Sequence, residues 1–183
     1  MDVTIESLGS IATAVATVAL VILLYRTVKQ LESTVELSRI QTEYRFRPWI
    51  GHVGKITKIE PSINNDYQFS ISVKNFGELP APQVSANFIL SKTLISRDEL
   101  KSSNLNQFNL GPMLPNMEKH YWFFIPTDIW KLAEEDKEKI FVGIFFTYPA
   151  SGKDSGYGII SEYSASSNSF IHKEMWIDDA KLS

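Results

Sequence analysis

Residues 7–25 include no charged side chain, and no other feature of this sequence limits the fold so strongly. The run Leu8-Gly-Ser-Ile-Ala-Thr-Ala-Val-Ala-Thr-Val-Ala-Leu-Val-Ile-Leu-Leu-Tyr25 nearly supplies the roughly 20 helical residues that cross a hydrocarbon core. A secretory signal would open on a basic segment, whereas Asp2 and Glu6 stand here. A soluble core helix would keep a polar face, and residues 18–24 have none. The remaining reading is one transmembrane helix over residues 7–25, preceded by a short tail over residues 1–6.

The flanks predict a direction. Basic residues stay on the cytoplasmic side of a span, and acidic ones count little. Arg26 and Lys29 follow the span directly, with Arg39, Arg45 and Arg47 beyond them. The N-terminus is therefore expected outside and the C-terminal domain in the cytoplasm of a single-pass cell-membrane protein. Its expected partners are the lipid bilayer and a membrane or membrane-proximal protein, a second copy of the chain included. Within the span, Gly9, Thr13 and Thr17 recur at spacing four, with Ala12 and Ala16 beside them. Small residues at this spacing let two helices approach closely, which makes Gly9, Thr13, Ala16 and Thr17 candidate helix-packing positions. The same residues are also ordinary constituents of membrane helices.

Residues 26–47 read as a helical stalk. Residues 26–45 contain neither Pro nor Gly, and Leu24, Val28, Leu31 and Val35 recur in a heptad rhythm that fades into Ser38 and Thr42. A short coiled coil and a solvated amphipathic helix both fit. Either makes residues 7–45 one helix of roughly 55–60 Å at 1.5 Å per residue. Pro48 is expected to end it, because Pro disfavours the helical region for Arg47 and cannot join the ladder.

From residue 48 to 183 the hydrophobic period changes to two. Tyr67, Phe69, Ile71 and Val73 alternate with Gln68, Ser70, Ser72 and Lys74; Val84, Ala86, Phe88 and Leu90 repeat the pattern. Residues 119–125 are aromatic on both faces and 140–146 apolar on both, which predicts two interior strands. Further strands are expected at 49–58, 107–110, 156–163 and 169–176. Ser96-Arg-Asp-Glu99 is a capping-box pattern for a short helix, and Thr127 is a candidate cap for a second over 128–137. Seven or eight short strands at this spacing predict a mainly β domain, an antiparallel Ig-like β-sandwich. The chain of 183 residues thus holds one domain and a membrane appendage.

Two turns carry a resemblance. Val73-Lys-Asn75-Phe-Gly77-Glu-Leu-Pro80-Ala81-Pro-Gln-Val84 resembles the N-x-G-x-x-P-A-x-x-V turn between strands of Ig-like adhesion-type and accessory domains. Leu110-Gly-Pro-Met-Leu114-Pro115-Asn-Met-Glu118 is similar to a later L-x-P-G-x turn of such domains, with Asn116 where Gly is usual. The Arg47-Pro48-Trp49 junction after a span and stalk is similar to uncharacterised prokaryotic membrane-anchored proteins with one helix and one such sandwich. The resemblance implies a binding or assembly module and transfers no active-site residue.

The chemistry-bearing residues point the same way. A net charge of -3 lacks the basic excess of a nucleic-acid binder, so no nucleic-acid partner is expected. With no cysteine, thiolate metal sites and cysteine nucleophiles are excluded. His52, His120 and His172 lie far apart on expected strands; they converge as a three-His metal site or serve as ordinary strand residues. No HExxH, Walker A, dinucleotide or Gly-x-Ser-x-Gly pattern occurs, and no cofactor is expected. Tyr148, Tyr157 and Tyr163 flank the 149–156 loop and are candidates for partner binding, although aromatic residues more often fill a sandwich core. The expectation is a non-enzymatic membrane-anchored accessory or protein-binding module. The alternative is a membrane-tethered ligand sensor or enzyme whose site is assembled from separated strands.

Overall fold

The computed structural model describes residues 3–63, 66–103, 107–150 and 153–179. The chain divides into two compact units, Met1–Arg45 and Phe46–Ser183. The first is a single helix, α1 (Val3–Arg45), of 43 residues. It is unbroken, as a stretch without Pro and with one Gly near its start allows, and it is long and apolar enough to cross a membrane. Its hydroxyls turn back on their own helix: Thr13 Oγ1 donates to the Gly9 carbonyl at 2.9 Å and Thr17 Oγ1 to Thr13 at 2.8 Å. That satisfies a polar group without water, the requirement a bilayer sets.

The second unit runs β1 (Ile50–Ile63), β2 (Asp66–Asn75), β3 (Ala81–Ser91), α2 (Arg97–Ser102), β4 (Gln107–Met113), β5 (Glu118–Pro126), α3 (Thr127–Glu134), β6 (Phe141–Ala150), β7 (Lys153–Ser164) and β8 (Ser169–Asp179). All the expected strands form. They build two antiparallel sheets, β1-β2-β5 and β4-β3-β6-β7-β8. Placing β1, β2 and β5 against β3, β6 and β7 divides the strands as an Ig-type sandwich does, with β4 moved onto β3 and β8 added.

The core fills the space between the sheets. Phe69, Ile71 and Val73 of β2 and Tyr121, Phe123 and Ile125 of β5 meet Val142, Ile144, Phe146 and Tyr148 of β6. Trp130 of α3 closes one end of this core, with its ring 4.7 Å from Phe69 and 4.4 Å from Tyr163. A second, smaller core lies on the outer face of the larger sheet, where Ile95 and Leu100 cover Phe141, Phe145, Ile160 and Trp176. This outer cover explains why β6 is apolar on both faces. The predicted capping box starts the covering helix: Ser96 Oγ accepts from the Glu99 N–H at 3.2 Å. Gly156 and Gly158 make room for the layer, since a Cβ at either would stand 2.2 Å from the Phe145 ring or 2.1 Å from the Trp176 ring.

Asn75 ties the domain together at the turn that carries the resemblance. It is fully buried. Its Oδ1 accepts from the Trp49 N–H at 3.1 Å and the Gly77 N–H at 2.9 Å, and its Nδ2 donates to the Leu79 and Met113 carbonyls at 2.8 and 3.1 Å. One amide thus joins the start of β1, the β2–β3 turn and the end of β4. Gly77 is required beside it, because a Cβ would fall 2.1 Å from the Arg47 carbonyl oxygen. Asn116 adopts φ 61°, the left-handed conformation for which Gly is otherwise preferred.

Two expectations are corrected. The aromatic segment 119–125 is not an interior strand: β5 stands at the edge of the three-stranded sheet, with Tyr121, Phe123 and Ile125 buried and Trp122 and Phe124 exposed. Alternation of two aromatic faces indicated burial on both sides, but the second face has no covering layer among the described residues. Helix α3 begins at Thr127 with Pro126 in the cap position, so Thr127 is not the cap. It stops at Glu134 rather than 137 because Asp136 turns to φ 56° and Lys137 N–H bonds back to the Leu132 carbonyl at 2.9 Å.

Candidate functional site

Where β4 and β5 end their respective sheets, the sandwich opens into a cleft of about 530 Å³. Phe88 of β3 and Phe108 of β4 form one wall. The other is β5 from His120 to Phe124. The strand period puts Tyr121 and Phe123 on the core side of this wall and turns Trp122 and Phe124 away from it. Phe108 lies with its ring centroid 5.8 Å from Tyr121 and stands 53% exposed, while Trp122 is 58% and Phe124 45% exposed. Phe108 thus stands half in water at the opening, and Trp122 and Phe124 expose their rings on the outer face of the same edge strand; exposed apolar rings of this size mark interaction sites. The register of β5 on β2 runs from Asp66 opposite Pro126 to Lys74 opposite Glu118 without a bulge. Among the described residues its other edge pairs with no strand, so its outward N–H and C=O groups form a template for one more. Burial in the cleft wall pushes the Tyr121 phenol up to about 12, so it stays protonated.

A second constellation lies where β1 of one sheet meets β8 of the other. His52 and His172 stand with ring centroids 4.8 Å apart, edge to face. His52 Nδ1 is 2.6 Å from Tyr157 Oη, and His172 Nδ1 is 2.9 Å from Ser161 Oγ. Burial lowers the pKa of both imidazoles; the neighbouring His172 charge lowers His52 further, while a hydrogen bond with the Gly54 backbone partly opposes the effect at His172. Burial pushes the Tyr157 phenol up to about 12. A protonated phenol and the His52 imidazole thus share this short hydrogen bond. Gly54, at φ 71°, sits in the β1 bulge that brings this backbone to His172.

The residues singled out from the sequence fall in several places. His52 and His172 converge; His120 does not join them, since β5 lies on the far side of β2 from β1 and its Nδ1 is 3.1 Å from Ser72 Oγ. No group of three or more His, Asp or Glu stands close enough to hold a metal ion among the described residues. Tyr148 and Tyr163 point into the core. Both are buried, Tyr163 against Trp130 and Phe170, with its hydroxyl donating to Asn168 Oδ1 at 2.9 Å. Tyr157 is half-buried on His52. The space between two sheets demands large rings, and these tyrosines supply them. The tip of their loop, residues 151–152, lies outside the described residues. Gly9, Thr13, Ala16 and Thr17 are exposed along α1. Sequence reading missed Phe108, Trp122 and Phe124 as a site. Their signal was the aromatic pair on the outer face of β5, which reads equally as core.

No curated protein matches the chain. A family model described as "Domain of unknown function (DUF8453)" matches residues 5–181, helix and sandwich together, and the chain belongs to that family.

Proposed function

We propose that the protein is a non-enzymatic, single-pass membrane-anchored module that binds an extended apolar segment of a membrane-proximal protein in the cleft beside β5. The N-terminus lies outside and the sandwich in the cytoplasm, on the strength of Arg26 and Lys29 directly after the span. The observation that carries the reading is an unbulged edge strand flanked by exposed aromatic rings. An added strand gains main-chain hydrogen bonds along β5, while the rings take alternate side chains. The absence of catalytic sequence motifs is consistent with this role.

The test is capture. The tagged full-length protein is extracted from native membranes in mild detergent, and co-purifying proteins are identified by mass spectrometry. A stoichiometric partner that disappears with Trp122→Ala and Phe108→Ala is expected. A partner retained by both variants, or none at all, refutes the cleft.

A second reading, a ligand sensor, is favoured by the His52–His172–Tyr157–Ser161 constellation. It supposes a small ligand between the sheets. The filled core beside these residues counts against it.

A further inference from the structure

Past Tyr25 the helix α1 carries Arg26, Lys29, Glu32, Glu36 and Arg39, side chains that belong in water. Between them Val28, Leu31 and Val35 form one stripe, each more than half exposed. An apolar stripe on a solvated helix calls for a partner. Its phase is specific. Val21, Val28 and Val35 fall at one heptad position, and Leu24 and Leu31 at the other. Valine at the first with leucine at the second is the choice that selects two parallel strands over three or four. Carried back into the span, the same two positions hold Ala14 and Thr17, small enough for close approach.

From this phase we infer that α1 is the seam of a parallel, in-register homodimer, a two-stranded coiled coil from Val21 to Val35 that continues into the membrane. Insertion of both copies in one direction makes the helices parallel. The charges permit it: across a parallel seam the flanking positions bring Thr27 opposite Glu32 and Thr34 opposite Arg39, so no like charges meet. The seam is short for a coiled coil free in solution. Tethering both copies in one membrane raises their effective concentration, and a short seam then suffices. A dimer presents two sandwiches, and with them two β5 clefts, to one partner assembly. The inference rests on the stalk and not on the cleft.

The chain has no cysteine, so single cysteines report the seam cleanly. Full-length protein carrying one cysteine at position 28, 31, 35, 29, 33 or 36 is oxidised in isolated membranes, and dimers are resolved on non-reducing gels. Disulfides need Cα atoms about 4.4–6.8 Å apart, which only seam positions of a parallel pair provide. Strong dimer bands for Val28→Cys, Leu31→Cys and Val35→Cys, at least fivefold above Lys29→Cys, Ser33→Cys and Glu36→Cys, are expected. A flat profile, a maximum in another phase, or no dimer in the membrane fraction overturns the inference. Partner capture by the Trp122 and Phe108 variants is scored separately, so failure of one reading does not disguise failure of the other.

Discussion

Replacing Asn75 by Ala removes four hydrogen bonds to backbone groups at once. The Gly77 N–H and the Met113 carbonyl lose their bonds in fully buried surroundings, and the Trp49 N–H and Leu79 carbonyl in partly buried ones. A buried group left without a partner costs about 1–3 kcal/mol, and a partly buried one about 0.5–1.5 kcal/mol, since water reaches it. The sum is about 3–9 kcal/mol. Water entering the vacated space moves the expected loss to the lower half, about 3–6 kcal/mol. For a domain of about 5–15 kcal/mol total stability, that is a large fraction. All four tryptophans, Trp49, Trp122, Trp130 and Trp176, lie in the sandwich, so their fluorescence in urea reports this domain without the membrane helix. With a slope of about 2 kcal/mol per M, the midpoint of Asn75→Ala falls by about 1.5–3 M. Asn75→Asp separates hydrogen bonding from shape. It keeps the acceptor for Trp49 and Gly77 but turns a carboxylate oxygen toward the Leu79 and Met113 carbonyls. Repulsion and burial raise its folded-state pKa above the unfolded value, so its stability is lost as pH rises, and Asn75→Asp is expected to be firmer at pH 5 than at pH 7. A midpoint for Asn75→Ala within 0.5 M of the parent, about 1 kcal/mol at this slope, or an Asp variant as stable as the parent at pH 7, refutes the reasoning.

Three further outcomes are expected. Stability conferred by His52 and His172 is complete above the unfolded imidazole pKa of about 6.5 and declines as pH falls from there through their lowered folded values, because the unfolded chain binds those protons first; urea midpoints at pH 8, 6.5 and 5 check this, and a flat profile contradicts it. Gly158→Ala drives a methyl into the Trp176 ring and costs about 1–3 kcal/mol, whereas Gly77→Ala meets backbone that cannot yield and costs more; the reverse order of midpoints contradicts the packing described. Ser96→Ala removes the cap of α2 and costs about 0.5–2 kcal/mol in the same assay, with no loss expected if the cap carries no load.

How the strands sort themselves shows what a linear pattern contains. Alternation in residues 67–74 named the core face of β2 correctly, because Phe69, Ile71 and Val73 fill the core, although Gln68 and Ser70 on the other face are buried as well. The same logic failed at β5. Trp122 and Phe124 alternate with Tyr121 and Phe123, and nothing local distinguishes rings that fill a core from rings left exposed on the outer face. At β6 the two apolar faces did mean burial, since α2 supplies a cover that β5 lacks. The tyrosines around residues 149–156 carried a loop signal, yet Tyr148 and Tyr163 went to the core because sheet spacing demands their volume.

By itself the sequence determined what depends on near neighbours: the long apolar helix, its stop before Pro48, the capping box at Ser96, the left-handed Asn116 and the positions of eight strands. These rest on local sterics, local hydrogen bonds and hydrophobic period. Only the tertiary structure decided which strands became edges, that His52 and His172 meet while His120 does not, and that one buried Asn75 joins three separate segments. Those contacts join residues up to 120 positions apart, as between His52 and His172, and their partners are chosen by how two sheets stack, which no local pattern encodes.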